Sequence, residues 1–331
     1  MKYAYITGGA GLIGSHICHY LLNNGIVDKV VVLDHFGRYV ESLSSTFYDY
    51  RKFRFKGIED QIIVERSDGT VSGIIHRTLS KYKPDYIFHL AALPLAKLPN
   101  LNAIEAQQGS VQTTTNILEA ISDIRTKDYA GPKRFVYASS SMTYGNFLSE
   151  VATEDHPQNP LEIYGTMKLA GEVVTKGLCK FLKIPFSIVR PSAVYGPTDM
   201  NRRVTQIFLE KALLGQTLNV EGKDEPLDFS YVKDVARGFV LTAINDGGIN
   251  EIFNITHGKA HTLLEFVECL KKYIPNLKYA IKERDAFRPI RGTLSTKKAE
   301  KLIGYKSEYS LDNGVKEYLD FVRENNPFLI K

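Results

Sequence analysis

Cysteine is scarce and unpaired in this chain. Cys18, Cys179 and Cys269 are odd in number and widely spaced, and they stand in no CxxC and beside no paired histidine. That pattern argues against a disulfide framework or a metal site and reads as reduced, half-buried thiols in a cytosolic protein. Long apolar runs are missing too. The opening stretch MKYAYITGGAGLIGSH is broken by four glycines before it reaches the length of a signal sequence or a membrane span, so a cytoplasmic protein with no membrane partner is expected. Internal repeats and low-complexity tracts are absent. Charge of one sign is not concentrated: 42 Lys and Arg face 37 Asp and Glu, a net +5 spread along the chain, which does not imply nucleic-acid binding. The one local basic and aromatic cluster, Tyr48 to Lys56, reads as an amphipathic surface segment. What is present is an ordinary globular composition, 44% hydrophobic and 24% charged over 331 residues, enough to bury a core without staples.

The apolar residues are grouped in short runs. Tyr3-Ala-Tyr-Ile6 is β-favouring and leads into Thr7-Gly-Gly-Ala-Gly-Leu-Ile-Gly14, after which a helical pattern runs from Ser15 to about Leu22. Lys29-Val-Val-Val-Leu-Asp34 is a continuous apolar run of the kind a buried parallel strand requires. The alternation continues through Gln61–Glu65, Asp85–Leu90, Arg134–Ala138 and Phe186–Arg190, with helical stretches near 72–82, 103–124 and 162–183 between them. This predicts an α/β, Rossmann-like, doubly wound parallel sheet over residues 1–190. After Pro191 turns become frequent and helical pieces fall near 204–214, 232–243, 262–273 and 312–324. Residues 191–331 therefore read as a smaller mixed α/β lobe for substrate, with room for the chain to cross back.

The glycines after the first strand have a physical task. Gly8 permits a tight turn, Gly11 lets the backbone approach a pyrophosphate, and Gly14 lets the helix pack closely on the strand, so that a phosphate sits at the helix N-terminus. The spacing is GxxGxxG rather than GxGxxG. Asp34 ends the next strand about 20 residues on, where a carboxylate accepts hydrogen bonds from a ribose and repels a 2′-phosphate. That combination predicts NAD rather than NADP, with nearby Arg38 the residue that argues the other way.

Tyr164-Gly-Thr-Met-Lys168 puts a phenol and an ammonium one helical turn apart on one face. A nearby cation lowers a tyrosine pKa and a positively charged nicotinamide lowers it further, so Tyr164 is a candidate base near neutral pH. The run Tyr137-Ala-Ser-Ser-Ser-Met-Thr-Tyr-Gly145 begins at the carboxyl end of a predicted parallel strand, where such sheets bind ligands.

Taken together, Thr7 to Gly14, Asp34, His89-Leu-Ala-Ala92, the serine run, Tyr164 with Lys168, and Arg190-Pro-Ser-Ala-Val-Tyr-Gly-Pro197 resemble, in order and spacing, the extended short-chain dehydrogenases that act on nucleotide sugars, the NAD-dependent epimerase/dehydratases. The resemblance covers nearly the whole chain. It implies an enzyme in which Ser140, Tyr164 and Lys168 are catalytic: Tyr164 removes the proton of the sugar C4 hydroxyl as hydride leaves C4, Ser140 holds that oxygen, and Lys168 holds the nicotinamide ribose. It places Leu12 and Ile13 with the glycines on the cofactor, Asp68 by the adenine, Leu90, Ala91 and Ala92 along it, and Ser139 on the nicotinamide side. On the substrate side it places Ser140, Ser141 and Met142. It also implies a homodimer through helices 103–124 and 162–183.

The subclasses of this family differ in the fate of the 4-keto sugar. Members that eliminate water carry an acidic pair, or a Glu two positions on, after the catalytic hydroxyl; here those positions are Ser141 and Met142, and a thioether neither donates nor takes a proton. Members that epimerise at C3 and C5 use a Cys in the serine region, and none lies between 137 and 145. The resemblance therefore implies a 4-epimerase serving surface polysaccharide sugars, with two alternatives: a 4-dehydrogenase releasing the ketone, and a non-catalytic NAD sensor. Ala193 where an Asn is usual, Ser110 where an Asn often stands, and Leu227 in place of a phosphate-holding Arg leave UDP or GDP open. Arg288 or Arg291 is the candidate replacement for that charge.

Overall fold

A computed structural model describes residues 1–37, 48–92, 103–284 and 288–329. Arg38 lies outside the described residues.

Seven parallel strands form the central sheet. In chain order they are β1 (Tyr3–Thr7), β2 (Lys29–Asp34), β3 (Ile62–Arg66), β4 (Tyr86–His89), β5 (Arg134–Ala138), β6 (Phe186–Arg190) and β7 (Glu251–Asn254). Their spatial order is β7-β6-β5-β4-β1-β2-β3. The strands carry apolar side chains on both faces, because helices cover both. Along β1, Ala4 and Ile6 enter one core and Tyr5 the other, the two-residue period of a pleated strand. On the first face lie α1 (Leu12–Asn23) and α7 (Val232–Ile244), contributing Ile17, Leu21, Val235 and Phe239. On the second lie α2 (Ser72–Tyr82), α4 (Thr113–Asp123) and α5 (Ile163–Leu182), contributing Leu79, Leu118 and Cys179.

The chain winds outward from β1 through β2 to β3, then returns to lay β4 on the other side of β1, with Thr7 in register with both Leu33 and His89. The carboxyl ends of β1 and β4 thus flank a switch point, where an open α/β sheet leaves a crevice. His89 ties this junction together: its ring is buried, with Nδ1 2.6 Å from the Thr7 hydroxyl and Nε2 3.0 Å from that of Thr114. Burial and the charge of Lys168 push it down to about 3, so it stays neutral.

The sheet does not close within residues 1–190. Phe253 of β7, from beyond the serine run and α5, is fully buried and pairs with Val189. The second lobe has its own core, in which Tyr195, Phe208, Phe229, Phe266 and Leu319 pack together across α6 (Val204–Leu213), α8 (Leu263–Tyr273) and α10 (Leu311–Asn325).

Two sequence expectations are corrected here. The Tyr48–Lys56 segment is amphipathic but not confined to the surface, since Tyr50 joins the second core and Arg54 is buried, donating to the carbonyls of Ala10 and Thr198. Tyr50 and Arg54 form its inner face, and Lys52 and Lys56 stay exposed. The three cysteines are fully buried, not half-buried, and burial pushes each thiol up. Among the described residues no helix is long and apolar enough to cross a membrane.

Candidate active site

A cleft of about 540 Å³ opens at the switch point. Gly8, Gly11, Leu12, Ile13, Asp34, Asp68, Leu90, Ala91 and Ala92 all line it, so the structure gathers these separated sequence positions into one place. Gly8 has φ +68°, and a Cβ there would approach the Ala91 amide nitrogen to 2.9 Å. A Cβ on Gly14 would lie 2.5 Å from the Gly8 carbonyl oxygen, so α1 is held against the loop as only glycine allows. Gly11 caps α1 without a side-chain hydrogen bond, and no acidic residue stands in the first turn. The amides of that turn lack intrahelical partners and face the cleft as a positive dipole end.

Asp34 has a second task that the sequence did not reveal. Its Oδ2 accepts from the Ala10 amide at 3.0 Å and its Oδ1 from Phe36 at 2.7 Å, so it fixes the loop as well as presenting a carboxylate. Asp68 holds its own turn by accepting from Thr70 at 2.8 Å. Arg51 also lines the cleft, paired with Asp49 and donating to the Phe36 carbonyl.

The serine run lies at the end of β5. Ser140 is extended and caps a single turn of 3-10 helix, Ser141–Tyr144, its Oγ accepting from the Met142 amide at 3.2 Å. Tyr164 lies in the first turn of α5, half-buried, and the nearby Ser140 hydroxyl draws its phenol pKa down. Lys168, one turn on, is buried with Nζ 2.7 Å from the Ala138 carbonyl and 6.0 Å from the Tyr164 ring centre. The sheet-facing stripe then continues to Glu172. This carboxylate, wholly buried, receives Arg190 of β6 in a two-pronged pair at 2.8 and 2.7 Å and the Ser139 hydroxyl at 2.5 Å. Arg190 also donates to the Tyr144 hydroxyl at 2.9 Å. The Ser139 hydroxyl proton is thus given to Glu172.

The electrostatics differ from the sequence expectation. Burial raises the Tyr164 phenol; the charge of Arg203 and the hydrogen bond from Ser140 pull it down, and Glu162 pushes it up. The expected helper, Lys168, is itself pushed down to about 7 by burial, with Glu172 pulling the other way. Arg203, at the N-terminus of α6, lines the cofactor cleft and supplies the cation that the sequence assigned to Lys168.

The substrate-side arginines separate. Arg291 reaches the serine run, with Nη1 3.9 Å from the Met142 sulfur, whereas Arg288 pairs with Glu221 at 3.0 Å on the second lobe. Leu227 is buried in that lobe's core. Ala193 has φ +36°, in the left-handed region that Asn tolerates better than Ala. Ser110 is buried in a π-helical turn, Gln108–Gln112, just before α4. Glu172 was missed, although its spacing at i+4 from Lys168 and i+8 from Tyr164 marks one helical face.

A family model described as the NAD dependent epimerase/dehydratase family matches residues 4–256. A putative UDP-glucose 4-epimerase of Methanocaldococcus jannaschii is 30% identical over 97% of this chain and 98% of its own. A dTDP-D-glucose 4,6-dehydratase of Mus musculus is 26% identical over 98% of this chain and 89% of its own. Among solved structures, the UDP-glucuronic acid 4-epimerase of Bacillus cereus, in complex with UDP-glucuronic acid and NAD, superposes with a TM-score of 0.86 at 25% identity, covering 98% of this chain and 99% of that one.

Two outcomes are expected for the buried groups. Glu172→Leu should cost about 3–5 kcal/mol by stranding the Arg190 charge, while Glu172→Leu with Arg190→Met should recover part of that loss; urea midpoints of the two variants check it. Lys168 titrates at about 7 in the folded chain and near ~10.4 unfolded, so between those values the unfolded chain holds the extra proton and stability from this group rises with pH. Lys168→Met should lose that rise, and a stability difference from wild type that is flat across the window would contradict the downward shift of Lys168 on burial.

Proposed function

We propose that this chain, which belongs to the NAD dependent epimerase/dehydratase family, is a UDP-sugar 4-epimerase. The observation that carries the reading is the meeting of the Ser140 hydroxyl and the Tyr164 phenol beside a cleft shaped for a dinucleotide, with Ser141 and Met142 where elimination would need an acid. The cleft suits NAD in three respects: a glycine loop that any Cβ would obstruct, a helix N-terminus free of acid, and a carboxylate at the ribose position. NAD bound there supplies the hydride acceptor and a positive charge.

Tyr164 takes the proton of the sugar C4 hydroxyl as the C4–H bond breaks and the C4–O bond becomes a carbonyl. Ser140 donates to that oxygen and holds it in line with the phenol. Lys168, bonded to the Ala138 carbonyl, would hold the nicotinamide ribose. Returning the proton from Tyr164, with hydride delivered to the opposite face of the ketone, gives the 4-epimer with no net redox change. Arg203 favours the phenolate through its charge.

The chain also forms a homodimer through α5 and the helix that begins at Ala103. Val173 and Phe181 of α5 are 58% and 81% exposed and Ile104 is 69% exposed, an apolar set that a partner helix pair would cover. Sedimentation should give twice the chain mass, and a monomer at micromolar concentration would refute it.

With NAD and UDP-sugars, the purified chain should interconvert 4-epimers without accumulating NADH, as followed by mass spectrometry of products alongside absorbance. Tyr164→Phe should retain NAD and lose turnover by about a thousandfold or more. Stoichiometric NADH with a released ketone would make it a dehydrogenase instead, and substantial turnover by the variant would remove Tyr164 as the base.

A further inference from the structure

Three arginines fall within residues 284–291, and two of them have carboxylate partners. Arg284 donates its Nε to Glu225 at 2.5 Å, and Arg288 pairs with Glu221 at 3.0 Å. Arg291 does not: no carboxylate of the described residues lies within ion-pair distance of it, and its contact is the Met142 thioether at 3.9 Å, a weak acceptor. Its Nε is buried and without a partner among the described residues. Burial pushes the guanidinium down, Glu225 and Glu162 act on it from further away, and Arg288 and Arg284 oppose them. A buried guanidinium N–H left unpaired is costly, so such a group is normally completed by an anion.

The position of that anion is set by the surroundings of Met142. Its amide donates to the Ser140 hydroxyl, and its carbonyl lies so close to Gly165, the neighbour of Tyr164, that a Cβ there would come to 2.6 Å. Arg291 therefore points at the patch beside the groups that handle the C4 oxygen. In a nucleotide-linked pyranose the diphosphate is attached at C1, across the ring from C4. The ring carbons next to C4 are C3, which bears a hydroxyl, and C5, whose exocyclic C6 can be oxidised to an acid. An anion on that substituent is a C6 carboxylate, whose two oxygens match the planar fork of a guanidinium.

We infer that Arg291 reads a carboxylate on the sugar, so that the substrate is a UDP-linked hexuronic acid rather than a neutral hexose. This rests on the 4-epimerase reading and narrows its substrate class. The phosphates fall to other groups, among which Arg288 stands nearer the second lobe.

Calorimetry on the NAD-loaded chain with UDP-glucuronate, UDP-glucose and UDP tests this without requiring turnover. Wild type should bind UDP-glucuronate about tenfold or more tightly than UDP-glucose, and Arg291→Gln should abolish that preference while holding UDP within about twofold of wild type. Equal wild-type affinity for the two sugars would overturn the inference even if the variant fails to fold. A parallel loss of UDP affinity in a variant that keeps its NAD and melting temperature would overturn it too, by making Arg291 a diphosphate ligand. Failure of every UDP-sugar to reduce the bound NAD is a separate result, since it removes the epimerase reading while leaving the binding comparison readable.

Discussion

The buried pair between Glu172 and Arg190 is the constraint on which the reaction geometry depends. Both side chains are out of water, with Glu172 fully buried and Arg190 about 1% exposed, so neither charge is tolerable without the other. The pair joins α5 to β6, and through Ser139 and Tyr144 it also holds the strand end and turn that present Ser140. Lys168 and Tyr164 sit on the same stripe of α5 one and two turns earlier. Whatever fixes Glu172 against the sheet fixes the rotation of the helix, and so the distance between phenol and hydroxyl.

Much of this was legible in the sequence because it is local. Continuous runs such as Val30 to Leu33 announce strands buried on both faces, and the helices between them follow from a 3.6-residue period. The glycines are readable since the turn they form is local, a Cβ on Gly14 meeting the Gly8 carbonyl, whereas the approach of Gly8 to Ala91 spans the sheet and was not. Long-range pairings were not legible. Ile252 and Phe253 make too short a run to announce a seventh strand, and their place beside β6 depends on α7 packing over α1. Arg54 looked like a surface charge because its partners, the Ala10 and Thr198 carbonyls, are 44 and 144 residues away. The tuning of Tyr164 was assigned to the neighbour in sequence, Lys168, while Arg203 comes from the other lobe.

The cations near the site divide the labour. Arg54 bonds the glycine loop at the Ala10 carbonyl, and Arg203 lines the cleft and acts on the phenol. Arg291 approaches from the C-terminal lobe, where its weak bond to a thioether leaves hydrogen-bonding capacity unused. Met142 is part of that arrangement, since an acidic side chain at its position would neutralise the guanidinium and supply a proton to eliminate with. On the proposed reading, one thioether bears on both the reaction course and the charge of the substrate.

The crossing of the chain back into the sheet also governs how the protein comes into being. Synthesis from the N-terminus delivers β1 through β6 before β7 exists, and during that interval β6 is an open edge whose backbone groups can pair with any passing strand. The α7 residues that cover α1 arrive some forty residues later, from Arg190 to Val232, and Phe253 some sixty, from Arg190 to Glu251. The nascent chain thus has a window of exposure set by its topology, and the first lobe cannot be finished on the ribosome until nearly half of the second has been made.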